Sequence, residues 1–209
     1  MHEKIDLFIV TGNLGTGKTT NGLKIAQQFE APMVDPDLIR KELGIQQYRR
    51  EDNSFVRQKM WEKIMGIWRT DRSVTLCTPY VTRGGREQSY SILQEMSFDL
   101  RKALQAVLIR CECSEKLAKE RLQRLREGAF DPQQYDEKKS FDQPIQQEEI
   151  DQNPNISFLI LDTEYNILKV LSGRRHHSNV LRDLEKLLTS KINEAQIDTT
   201  AHSRFANSI

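Results

Sequence analysis

Cysteine is scarce in this chain, with three among 209 residues. Cys77, Cys111 and Cys113 are odd in number and have no framework spacing. That excludes a disulfide scaffold and points to a reducing, cytoplasmic compartment. An excess of one charge is also missing. Lys and Arg total 31 against 30 Asp and Glu, a formal net charge of +1. No overall basic field therefore advertises a long nucleic acid, although a local basic groove is compatible with this balance. No apolar run approaches the length of a membrane-spanning helix. The first residues lack a signal-peptide pattern and enter a strand almost at once. There is no internal repeat.

What is present suits one domain with a real core. Hydrophobic residues make up 37% and charged residues 29%, so the polar surplus is expected in exposed helices and a tail. Short apolar runs at Ile5–Val10, Ala31–Val34, Ser73–Cys77, Ala106–Cys111 and Ile156–Leu161 read as buried parallel strands. Between them lie helical patterns: about Lys18–Phe29, a short one from Asp37 closed by Gly44, Ser54–Arg69 and about Arg86–Leu104. Ser114 caps a charged helix that stops near Gly128. Phe130–Asn155 is polar with three prolines and reads as a loop or loose helix. Asn179–Leu188 is the last helix. Strands alternating with helices predict an α/β fold, with a mostly parallel five-stranded sheet covered on both faces. Ligands then bind at the carboxyl ends of the strands. One domain is expected over residues 1–188, with a polar tail over 189–209.

The segment GNLGTGKT, Gly12 to Thr19, satisfies G-x-x-x-x-G-K-[ST] in full, between the first strand and the first helix. Its glycines let backbone amides turn inward, and those amides with the helix N-terminus bind anionic oxygens. Gly12, Asn13, Leu14, Gly15, Thr16, Gly17, Lys18, Thr19 and Thr20 are the expected nucleotide-binding residues. Lys18 should reach the β- and γ-phosphates, Thr19 should hold Mg²⁺ through its hydroxyl, and Thr20 can touch the α-phosphate. The expected ligand is Mg-ATP. No guanine-reading N-K-x-D pattern is present.

A carboxylate follows the second strand in VDPDLIRKEL, Val34 to Leu43. Such a group can take the proton of an attacking hydroxyl beside the phosphate loop. Asp37 and Arg40 are three apart and share a helix face. Asp37 then serves as base while Arg40 holds the acceptor, and Asp35 is the alternative base. The simpler reading is that Asp35 or Asp37 caps the helix and pairs with Arg40.

These motifs, over roughly Ile5 to Thr163, resemble the P-loop kinases that include polynucleotide 5′-hydroxyl kinases and zeta toxins. The resemblance implies a three-layer α/β/α sandwich with a helical lid, and transfer of the ATP γ-phosphate to a hydroxyl acceptor. It matches Asp37 to the general base and Arg40 to the acceptor-side arginine. It also implies that Arg121 or Arg124, on one face of the charged helix, closes over the transferring phosphate, with Arg126 nearby. Without it that helix reads as solvated, with Leu117, Leu122 and Leu125 packed. One departure stands out: Cys77, Thr78 and Pro79 occupy the turn where the resemblance implies an acid after the third strand. Either Thr19 and Asp35 suffice without it, or transfer is weakened. Asp162, in LILDT, is read as structural and not as a magnesium ligand. The rival classes are an ATP hydrolase or switch without an acceptor, and a binding module that has lost its chemistry. Near-neutral charge tilts the acceptor towards a small molecule over a nucleic-acid 5′ end.

Other residues carry weaker signals. Arg83 and Arg86 can contact acceptor or phosphate, or face solvent at a helix start. Trp61 and Trp68, a heptad apart, are core or line an acceptor pocket. Arg174 and Arg175 can stack on the base, or sit in a solvated turn. Cys111 and Cys113, and the adjacent His176 and His177, lack the further ligands a metal needs.

Overall fold

A computed structural model describes residues 4–45, 50–79, 82–125 and 143–190. The chain runs β1 (Leu7–Thr11), α1 (Lys18–Gln28), β2 (Met33–Val34), α2 (Pro36–Glu42), α3 (Asn53–Trp68), β3 (Val74–Thr78) and α4 (Arg83–Asp99). Then come β4 (Ala106–Glu112), α5 (Glu115–Leu125), α6 (Gln147–Gln152), β5 (Ile156–Asp162), β6 (Ile167–Ser172) and α7 (Ser178–Thr189). Among the described residues the sheet has six strands, in the order β2-β3-β1-β4-β5-β6. The first five are parallel, and β6 pairs antiparallel with β5.

The alternation of side chains along each strand divides the core into two layers. Leu7, Ile9, Leu76, Leu108 and Phe158 face α3 and α4, packing with Val56, Met60, Trp61, Ile64, Trp68 and Leu93. Phe8, Val10, Cys77, Ile109 and Leu159 face the other way, against Ile25 of α1 and Leu184 and Leu188 of α7. Strands buried on both faces can be apolar along most of their length, which is why β1 and β4 read as nearly continuous runs. Both tryptophans belong to the first layer. Trp68 donates its indole N–H to the Asp6 carbonyl at 3.0 Å.

Two elements differ from the sequence expectation. The sixth strand, β6, is an edge strand whose residues are exposed or half-buried. Its run ILKVLS therefore carries no continuous apolar signature. The β5–β6 connection turns at Asn166, which adopts φ 55°. The Asp162 carboxylate accepts from the amides of Glu164 and Tyr165 at 2.9 and 3.1 Å. The second difference is α6, inside the stretch read as loop or loose helix. It opens with a reciprocal capping box between Gln146 and Glu149.

Glu149 also receives Arg86 in a bidentate ion pair at 2.8 and 2.9 Å, both side chains being almost fully buried. Arg86 further donates to the carbonyls of Gln143 and Pro144, and Arg110 donates to the Gln143 carbonyl. Arg86 is thus buried in this tie and does not face solvent. It fastens residues 143–149 to α4. Removing either partner of such a pair strands a buried charge and costs about 3–5 kcal/mol. Among the described residues no helix is long and apolar enough to cross a membrane. Residues 191–209 of the expected tail, Arg126 and Glu127 at the end of the charged helix, and residues 130–142 of the stretch read as loop or loose helix lie outside the described residues.

Candidate functional site

The site forms where β1 gives way to α1. Gly17 occupies the N-cap of α1 in a left-handed conformation, with no side chain capping the helix. The first amides of α1 are therefore left for an anion at the positive end of the helix dipole. Gly15 has φ 78°, and a Cβ there would lie 2.5 Å from the Ala118 carbonyl oxygen. Only glycine lets α5 settle onto the loop at this point. Thr16, buried, donates its hydroxyl to the Asn13 carbonyl at 2.8 Å.

The loop is locked from the far side by α5 and by the residue after β5. Thr163 donates its hydroxyl to the Thr16 carbonyl at 2.9 Å. Arg121 donates to the Gly15 carbonyl at 3.3 Å, the Thr163 hydroxyl at 2.9 Å and the Thr163 carbonyl at 3.0 Å. Arg124, one turn on, is exposed and faces the same cleft. The two arginines thus share a face but not a role: Arg121 is committed to the loop backbone.

This cleft has a volume of about 700 Å³. It is lined by Gly15, Gly17, Lys18, Thr19, Thr20 and Asn21 of the loop and α1, by Arg121 and Arg124 of α5, and by Thr163, Glu164 and Asn166 beyond β5. Lys24 also lines it, one turn after Thr20, and the sequence reading missed it. Burial lowers the pKa of its ammonium. The i, i+4 spacing from Thr20 was the available signal.

A second, smaller pocket of about 210 Å³ opens on the other side of Lys18. Its wall includes Asp35, Asp37 and Arg40 around α2, Asn53, Val56, Arg57 and Met60 along α3, and Cys77, Thr78 and Pro79 after β3. Leu14, Lys18 and Asp37 line both cavities. Asp35 is the N-cap of α2 and accepts from the Asp37 amide at 2.8 Å. Burial, and then the charge of Asp37, push its carboxyl above the usual range, against the pull of Lys18. Asp37 is exposed and holds Arg40 in an ion pair at 2.8 Å, and Arg40 reaches on to the Asn53 side-chain oxygen at 2.7 Å. Both simpler expectations for this segment, a cap and an Asp–Arg pair, are therefore present, and both carboxylates still face the pocket.

Cys77, at the position of the missing acid, is fully buried under α1. Its Sγ lies 3.8 Å from the Lys18 carbonyl, and a Cβ on Gly22 would meet it at 2.1 Å. The thiol fills the space between β3 and a helix with no side chain at that point, and burial raises its pKa well above the ordinary value. The other cysteines do not gather ligands. Among the described residues no three His, Cys, Asp or Glu side chains are grouped as a metal site.

Arg174 and the histidine pair lie at the opposite, amino end of the parallel strands. Arg174 donates to the carbonyls of Ile150, Asn153 and Ile156, which fixes it far from the cleft and leaves it no base to stack on. His177 is buried against Ser157 at 2.8 Å and Gln105 at 3.1 Å.

Comparison with known proteins bears on the fold. No protein-family model matches the chain, and no curated protein matches it. Solved structures do. A candidate kinase from Chloroflexus aurantiacus superposes with a TM-score of 0.61 at 19% identity, over 88% of this chain and 97% of that one. A sugar kinase from Janibacter gives 0.55 at 15% identity, over 87% and 93%. Kti12 from Chaetomium thermophilum, solved with ADP-AlF3, gives 0.54 at 12% identity, over 87% and 98%. The chain shares the fold of these structures. At these identities the likeness carries the architecture and not the reaction.

Proposed function

We propose that this protein is an ATP-dependent kinase that transfers the γ-phosphoryl group to a hydroxyl acceptor. One observation carries the reading: Lys18 and Asp37 line both the 700 Å³ cleft and the 210 Å³ pocket. A nucleotide tail in the first and a hydroxyl in the second would meet at these two side chains. A hydrolase needs no second pocket walled by carboxylates and arginines.

In this reading the loop amides of Gly12 to Thr20 and the Lys18 ammonium hold the β- and γ-phosphates. Oxygen donors for a hard divalent ion are present: the Thr19 hydroxyl at the start of α1, and the buried Asp35 carboxylate near Lys18. These would hold Mg²⁺, which when bound neutralises phosphate charge. Asp37 accepts the proton of the acceptor hydroxyl while Arg40 keeps its carboxylate in place. The acceptor oxygen bonds to the γ-phosphorus, the bond to the β–γ bridging oxygen breaks, and ADP leaves. Arg121 keeps the loop in shape, and Arg124 supplies the guanidinium that neutralises the transferring group. The finer kinship with polynucleotide kinases or zeta toxins rests on the Asp37–Arg40 segment.

The test is transfer of label from γ-labelled ATP, with Mg²⁺, to a panel of nucleosides, sugars, sugar acids and a 5′-hydroxyl oligonucleotide. The reading expects one acceptor class to take label and Lys18→Ala to abolish it. Label that appears only as free phosphate, whatever the acceptor, would move the assignment to a hydrolase. Tight Mg-ATP binding with no turnover would move it to a binding module.

A further inference from the structure

The smaller pocket bears on what the acceptor is, and the inference rests on the kinase reading above. Its 210 Å³ is less than a third of the 700 Å³ of the neighbouring cleft. The smaller space beside Lys18 and Asp37 suits an acceptor smaller than the nucleotide that the larger cleft would take. The wall contributed by α3 is one helix face, because Asn53, Val56, Arg57 and Met60 follow i, i+3, i+4, i+7 spacing. Val56 and Met60 are buried and make an apolar floor. Asn53 and Arg57 put polar groups at its edge.

Arg57 is the unbalanced charge of this pocket. Arg40 is paired with Asp37, and Lys18 faces Asp35 and the nucleotide cleft. Arg57 donates one hydrogen bond, to the neutral Gln88 side-chain oxygen at 2.8 Å, and no carboxylate is paired with it among the described residues. A guanidinium with one face bound to a neutral amide keeps its other donors for a planar or tetrahedral anion. The hydroxyl-activating carboxylate, Asp37, lies on α2, across the pocket from α3.

We infer that the acceptor is a small hydroxyl compound bearing an anionic group, a carboxylate or a phosphate, that Arg57 binds while the hydroxyl at the other end meets Asp37. Arg57 is thus the residue that sets acceptor specificity, and the carbon skeleton lies on Val56 and Met60.

The experiment measures kcat and KM for label transfer to sugar carboxylates, to sugar phosphates and to the uncharged sugars of the same carbon skeletons. A 5′-hydroxyl oligonucleotide is run beside them. Wild type, Arg57→Gln and Arg57→Lys are compared, with Mg-ATP affinity measured by calorimetry for each. Expected is transfer to the carboxylate or the phosphate series, the productive series naming the anion. Losing a charge-assisted contact should raise the acceptor KM by about ten- to a hundredfold in Arg57→Gln. Arg57→Lys should restore part of it, with Mg-ATP affinity unchanged. Efficient transfer to uncharged sugars or to the oligonucleotide overturns the inference and leaves the kinase reading standing, as does an Arg57→Gln variant with wild-type KM for the anion. No transfer to any acceptor, with Mg-ATP bound, overturns the kinase reading and this inference with it.

Discussion

Substituting Cys77→Asp separates two accounts of the third strand. The family resemblance implies that an acid belongs after this strand, so restoring one should help. The structure says otherwise. Cys77 is 1% exposed, its sulfur lies against the Lys18 carbonyl, and Gly22 leaves room for a thiol and no more. A carboxylate there would be desolvated beside Asp35, whose own carboxyl burial already pushes up. Lys18 offsets part of that charge. Stranding a poorly compensated buried carboxylate costs about 3 kcal/mol. For a chain of this size that lowers Tm by about 6–12 °C. The sign with pH follows from linkage. The introduced group would titrate higher in the folded than in the unfolded chain, so its penalty is absent below the unfolded value, grows as pH rises between the two and is full above the folded value. Thermal melts at pH 5 and pH 8, with Cys77→Ser as the size control, read this directly. A Cys77→Asp protein that melts with the wild type at both pH values, or transfers phosphate faster, would refute the packing account of Cys77.

Other expectations follow from single contacts. His177 is buried and neutral, burial lowering its pKa to about 4 from 6.5, so the folded chain resists its protonation. Stability should fall between pH 6.5 and 4 by up to about 3 kcal/mol, and denaturant melts of His177→Gln should lose that slope. Lys24→Met should weaken Mg-ATP binding severalfold in calorimetry without lowering Tm, because the ammonium lines the cleft half-buried; unchanged affinity would remove Lys24 from the site. Arg121→Gln should lower both Tm and nucleotide affinity, since three bonds to the loop and Thr163 are lost. Arg124→Gln should leave Tm alone and lower kcat by about 10²-fold or more. Identical effects of the two would contradict the division of roles.

Much of this was legible in the sequence, for physical reasons. The β1 and β4 runs announce strands buried on both faces, and the spacing of Gly12, Gly15 and Gly17 announces a backbone that must turn and be approached closely. Both are local patterns. What escaped was long-range or marginal. The edge strand β6 has only half its surface to bury, so its apolar residues look scattered. The tie between Arg86 and Glu149 spans 63 positions, and nothing near Arg86 announces its partner. Asp35 and Asp37 were both readable as site carboxylates, but their difference in burial is set by β3 and α1. The bond from Arg121 to Thr163 likewise needs α5 and the end of β5 placed together before it exists.

The most direct test of the central claim is single-turnover transfer from γ-labelled ATP with Asp37→Asn beside wild type, in the presence of the productive acceptor. An asparagine keeps the shape and cannot take the hydroxyl proton. The account predicts that transfer falls by about 10²–10⁴-fold, while Mg-ATP still binds. Equal transfer rates for the two proteins, or label released only to water by both, would contradict it.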